Sequence, residues 1–145
     1  MARIKIDIPV EILCVIDIPV RISDINYGNH VGNDALVSIV QEARVQMLQR
    51  AGYKNELEIE GVGLIMAGLA MEYKKEAFYG DVLQIAISVN DITAVSFNLF
   101  FKINAQRNEQ MIFVAKAKSE MVCYDYTIKK IAGIPSGLKI FLENH

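Results

Sequence analysis

"SDINYGNHVGNDALVSIVQEARVQMLQRAGY", residues 23–53, decides the fold. Its first twelve residues hold two acids, three asparagines, one histidine and two glycines. In the rest, Leu36, Val40, Ala43, Met47 and Ala51 recur at steps of three and four, which is a helix period. The spacing predicts one helix of about five turns from Asp34 to Ala51. Asn33 or Asp34 is expected to cap its first turn, and Gly52 supplies the left-handed residue that ends it. The densest polar cluster of the chain therefore stands where its one long helix begins. It reads either as a solvated loop or as an active site built on the helix start.

Upstream, residues 3–22 alternate or run apolar, with Pro9 and Pro19 limiting central pairing, and read as an irregular strand ending near Ile22. Downstream of the polar segment 54–60 the pattern turns to strands and stays there. GVGLIMAGLAMEYKKEA (61–77) comes first, and Gly80-Asp81 makes a turn. VLQIAISVND (82–91) then alternates with period two. AVSFNLFFKIN (94–104) puts Val95, Phe97, Leu99, Phe101 and Ile103 on one face. After the AQRNEQ hairpin, the strand 111–126 is expected to turn Met111, Phe113, Ala115, Ala117, Ser119, Met121 and Cys123 one way, narrowing to small residues where a helix lies close. Pro135 begins a short amphipathic tail.

The order is α+β: one long helix against an antiparallel sheet of five strands or more. One helix cannot cover both faces of such a sheet, so a homodimer, or a dimer of dimers, is expected. The 145 residues suit a single domain over 1–145 with a core that needs no metal or disulfide. A net charge of −2 gives no basic excess for a nucleic-acid partner. The charged opening MARIKIDIPVE and the lack of a long apolar run argue against a signal peptide and a membrane span, so a cytoplasmic protein is expected. Cys14 and Cys123 lie far apart and read as reduced core thiols.

SDINYGNHVGND, the QEAR helix and "EAFYGD" (76–81) occur in an order and spacing that resembles the hot-dog thioesterases of the hydroxybenzoyl-CoA thioesterase type. The resemblance covers nearly the whole chain. It implies the hot-dog fold, hydrolysis of acyl-CoA or acyl-carrier-protein thioesters, and no cofactor beyond coenzyme A carried by the substrate. A helix glutamate matching Glu42 is catalytic in one branch of that family. The second Asp of the frequent Asp-x-Asp pattern is replaced here by Asn26 in Asp24-Ile25-Asn26.

Thioester hydrolysis needs a polarised carbonyl, a held oxyanion and an activated water. Unpaired amides at a helix start can do the first two, and residues 30–34 are positioned to supply them. Val31, Gly32 and Asn33 are the expected substrate-binding residues there, Gly32 allowing close approach to the backbone, with Met66 on the acyl path beside Leu36, Ile65 and Leu69. Glu42 and Asp34 are the candidate water-activating carboxylates. His30 is suited to proton transfer near neutrality, and Asn26 can orient a water or hold the thioester oxygen. Arg44 falls within the apolar stripe and needs a carboxylate, for which Asp24 is the first choice. Lys74, Lys75, Lys116, Lys118, Lys129 and Lys130 are available to coenzyme phosphates, and no metal is expected. Two other readings stay open: a non-catalytic acyl-thioester binder, and an enoyl-thioester hydratase using the near-match Asp24, Asn26 and His30.

Overall fold

The computed structural model describes residues 4–144. The strands are β1 (Cys14–Pro19), β2 (Gly63–Tyr73), β3 (Val82–Asn90), β4 (Ser96–Arg107), β5 (Gln110–Asp125) and β6 (Lys130–Ile131). The helices are α1 (Asn33–Arg50), between β1 and β2, and α2 (Ser136–Glu143). All strand pairings are antiparallel, in the order β1-β3-β4-β5-β2, with the short β6 added to β5. This is the α+β hot-dog arrangement. The strand expected over 3–22, whose first residue lies outside the described ones, condenses to six residues.

Alternation explains which face packs on α1. Ile85 and Ile87 of β3, Leu99, Phe101 and Ile103 of β4, and Ala115, Ala117 and Ser119 of β5 are fully buried. The apolar ones among them meet Leu36, Ile39, Val40, Ala43, Met47 and Leu48 of α1 in one core. The small side chains of β5 give the helix room.

Three expectations need correcting. Met111 and Phe113 do not share the buried face of β5. Ile103 pairs with Ala115 but Asn104 with Phe113, so Val114 is an extra residue, a β-bulge that resets the alternation. Val114 is buried, while Met111 is exposed. The N-cap of α1 is Gly32, with φ −70° and ψ 155°, and no side chain caps it. Asn33 and Asp34 already lie within the first turn, past the position from which a side-chain oxygen reaches those amides.

Arg44 is paired with Glu56, not Asp24: its Nε lies 2.7 Å from Glu56 Oε2, and Gln41 Nε2 donates to the other oxygen at 3.2 Å. Arg44 is three turns along the helix, about 16 Å from its start, beyond Asp24's reach. The segment after α1 folds back and brings Glu56 instead. Asp24 is buried and occupied by Arg21, accepting from its backbone N–H at 2.8 Å and its Nη2 at 3.3 Å.

β2 has a strand partner on one side only, β5, and near its start the Leu64 N–H donates to the Glu56 carbonyl at 2.8 Å. Beyond Leu64, Ile65 and Met66 are 36% and 41% exposed, an apolar stretch of that edge.

Candidate active site at the start of the long helix

Local hydrogen bonds shape the polar loop. Asn26 Oδ1 accepts the Gly28 N–H at 2.8 Å, its carbonyl accepts the Asn29 N–H, and its own N–H donates to the His30 carbonyl. The left-handed position is Asn29, with φ 65°, a conformation asparagine tolerates better than most residues. The chain thus doubles back and delivers His30, Val31 and Gly32 to the helix. The Val31 N–H donates to the Ala77 carbonyl at 2.8 Å and the Gly32 N–H to the Asp24 carbonyl at 3.1 Å. The first helical bond runs from Leu36 N–H to Gly32 O. The amides left for a ligand are therefore those of Asn33, Asp34 and Ala35, a narrower and slightly later set than residues 30–34.

A cleft of about 270 Å³ opens at this point, between His30, Val31, Asn33 and Leu36 on one side and residues 73–77 with Val114 on the other. His30 Nδ1 lies 3.1 Å from the Val31 carbonyl. That bond requires the proton on Nδ1, so in the neutral ring Nε2 is the bare nitrogen. Nε2 stands 3.8 Å from Glu76 Oε1 across the cleft. Lys74 and Lys75 line the same wall, their N–H groups both donating to the Val114 carbonyl. Lys116 and Lys118 belong to the sheet's outer face, and Lys129 and Lys130 to the β6 end, away from the cleft.

Asn26, Gly32 and Asp34 form a second group around the helix start. A Cβ on Gly32 would stand 2.6 Å from Asp34 Oδ1 and 3.8 Å from Asn26 Nδ2, so the absence of a side chain here is what lets the carboxylate fold over the backbone. Glu42 is not brought to the cleft. It is exposed, accepts from Gln46 Nε2 at 2.9 Å, and lies about 12 Å along the helix from Asp34. Met66 and Leu69 are separate too, lining a groove of about 460 Å³ with Val37, Val40 and Arg44 on the β2 side of α1.

Both cysteines are free, and burial raises both thiols, Cys123 to about 11, so neither supplies a thiolate near neutrality. Among the described residues no group of His, Cys, Asp and Glu is set to hold a metal ion. No helix among them is long and apolar enough to cross a membrane.

A family model described as the thioesterase-like superfamily matches residues 20–142. The chain belongs to the thioesterase-like superfamily. This thioesterase is 31% identical over 109 residues to a 1,4-dihydroxy-2-naphthoyl-CoA hydrolase of Microcystis aeruginosa, covering 74% of this chain and 76% of that one. It is similar in fold to a 1,4-dihydroxy-2-naphthoyl-CoA thioesterase from Synechocystis, with a TM-score of 0.76, 17% identity and coverage of 90% and 95%. A gentisyl-coenzyme A thioesterase is similar too, with a TM-score of 0.76, 18% identity and coverage of 89% and 99%.

The thioesterase has a cleft wall that pattern reading of the loop and helix does not reveal. Glu76 stands in it, and Asp81 and Arg107 hold it. Arg107 donates to both Asp81 oxygens at 2.8 Å and from Nη2 to the Glu76 carbonyl at 3.3 Å, while Asp81 Oδ2 accepts the Phe78 N–H. The available signal was the Gly-Asp of EAFYGD, whose acid is 3% exposed and so needed a cation. The Arg107 guanidinium holds the Asp81 carboxyl below its usual range.

A folded-state value below the unfolded one, about 3.9, means the stabilisation is complete above that pH and fades as pH falls below it. Asp81→Asn is expected to cost about 2–4 kcal/mol at pH 7. Denaturant unfolding of both proteins should show this difference shrinking below about pH 4. A difference as large in acid as at neutrality would mean that the ion pair is not its source.

Proposed function

We propose that this thioesterase hydrolyses an acyl-coenzyme A thioester at the start of α1. The observation that carries the reading is the cleft that reaches Asn33 and Leu36 at the first turn of α1, whose amides no side chain caps. The thioester oxygen accepts from those amides, which sit at the positive end of the helix dipole and hold the charge of the tetrahedral intermediate. A carboxylate takes one proton from water as its oxygen bonds to the carbonyl carbon. The C–S bond then breaks, and that proton passes to the departing sulfur, completing free acid and thiol. Asn26 cannot accept the proton, and its amide serves to orient the water.

The water-activating acid is Asp34, at the helix start, with Glu42 of the partner subunit completing the site. The free edge of β2, its exposed Ile65 and Met66 and the apolar groove between β2 and α1 support a homodimer joined along that edge. Lys74 and Lys75, in the cleft wall, meet the coenzyme phosphates. Coenzyme A enters as part of the substrate. The coenzyme A thioesters named for the similar proteins favour this carrier over an acyl-carrier protein.

Incubation with short-chain, long-chain and aromatic acyl-CoAs, read by free-thiol detection, tests the proposal. Catalytic thiol release from at least one class is the expected result. Saturable binding without thiol release across all classes would instead make the chain a thioester binder.

A further inference from the structure

Residues 4–13 cross the outer face of the sheet, the side away from α1, without regular structure. Ile6 is buried there, its N–H donating to Glu72 Oε1 at 2.8 Å and its carbonyl accepting from Lys116 Nζ at 3.1 Å. At the other end Leu13 N–H donates to the Ile87 carbonyl at 2.7 Å. Between these anchors the arm spans a cavity of about 470 Å³, within the usual range for small-molecule sites.

Three features of this cavity call for a ligand of one kind. Lys102 of β4 and Lys116 of β5 are direct cross-strand partners, a like-charge pairing that destabilises a sheet. Both ammonium groups lie over the Phe113 ring, at 5.6 and 5.9 Å from its centroid, so the ring keeps the two charges together. Glu72, directly opposite Lys116 on β2, is ion-paired with Lys74 at 2.6 Å, and among the described residues neither Lys102 nor Lys116 has an ion pair closer than 4 Å.

The second feature is Ser88 on the cavity floor. It is 1% exposed, and its hydroxyl has no hydrogen-bond partner, an unfavourable state for a buried donor. The third is the apolar wall of Ile8, Pro9 and Ile12. Asp7, also lining the cavity, sets one negative charge against the two positive ones, which suits a monoanion better than a phosphate.

We propose that this outer-face cavity binds a carboxylate-headed amphiphile. The head lies between Lys102 and the Ser88 hydroxyl, and the hydrocarbon runs along Ile8 and Ile12. The site is distinct from the α1 cleft, being on the opposite face of the sheet.

Octanoate is a suitable probe, titrated into isotope-labelled protein by amide NMR and by calorimetry. Saturable binding is expected, with the largest amide shifts at Ala86, Ser88 and Lys102. Lys102→Gln should weaken it about tenfold and Ser88→Ala about threefold, while 1-octanol should bind at least about tenfold more weakly. Asp34→Asn should leave octanoate binding unchanged. No saturation at millimolar octanoate, equal binding of octanol, or binding sensitive to Asp34→Asn but not to the outer-face substitutions would each overturn the proposal. Lys116 is left intact because it also anchors the arm.

Discussion

Asp34→Asn is expected to cut kcat/KM about 10²- to 10⁴-fold, the usual contribution of a positioned general acid or base. Stability should change by no more than about 1 kcal/mol, since the position is exposed and loses only a favourable charge in the first turn. Glu42→Gln should give a comparable loss by a different route. The two acids are about 12 Å apart along one helix, too far to serve one carbonyl from the same copy. If each site takes Asp34 from one copy and Glu42 from the other, the two inactive variants complement one another. A hybrid dimer then carries one doubly altered site and one intact site. Random exchange of equal amounts should restore about a quarter of wild-type activity, half the dimers being hybrids with one working site in two. Full turnover in both single variants would remove both carboxylates from the mechanism, leaving fold and family as they are. Two inactive variants whose mixture stays inactive would confine the acids to one copy.

Glu56→Ala has the largest expected effect on stability. Arg44 is 4% exposed and Glu56 14%, and removing the acid strands a guanidinium inside the helix–sheet interface. Breaking such a pair by one partner costs about 3–5 kcal/mol. For a chain of this length that corresponds to a fall in Tm of about 10 °C or more. The double change Arg44→Met with Glu56→Leu removes both charges and should recover most of the loss, because desolvation offsets much of what an ion pair contributes. Thermal and denaturant unfolding of the two variants decide it. Equal losses in the single and double variants would show that shape, rather than the uncompensated charge, sets the cost.

The helix and the order of the strands were legible because both rest on local periodicity. The helix begins and ends within one residue of its expected limits, and Gly52 takes the left-handed conformation, with φ 100°. The polar loop was legible as a feature of the helix start, since its own hydrogen bonds build it. What the chain's local pattern does not contain is which distant residue arrives at a given point. Arg44 announced that it needed an acid, yet Glu56 reaches it only because residues 51–62 reverse over the helix. Glu76 faces His30 because Arg107, on a different hairpin, holds its carbonyl. The phase of β5 was missed for another reason: Val114 carries no sign in its residue type that a strand partner skips it.

That skipped residue gives the strand something like a reading frame. Upstream of it, odd-numbered residues point outward and Phe113 reaches the lysines; downstream, odd-numbered residues point inward and Ala115 and Ala117 make room for α1. Removing Met111 or Ile112, with the bulge absorbing the loss, would set Val114 opposite Asn104, turning Phe113 toward the helix and Val114 toward water. Length, more than identity, is what this stretch of chain must preserve.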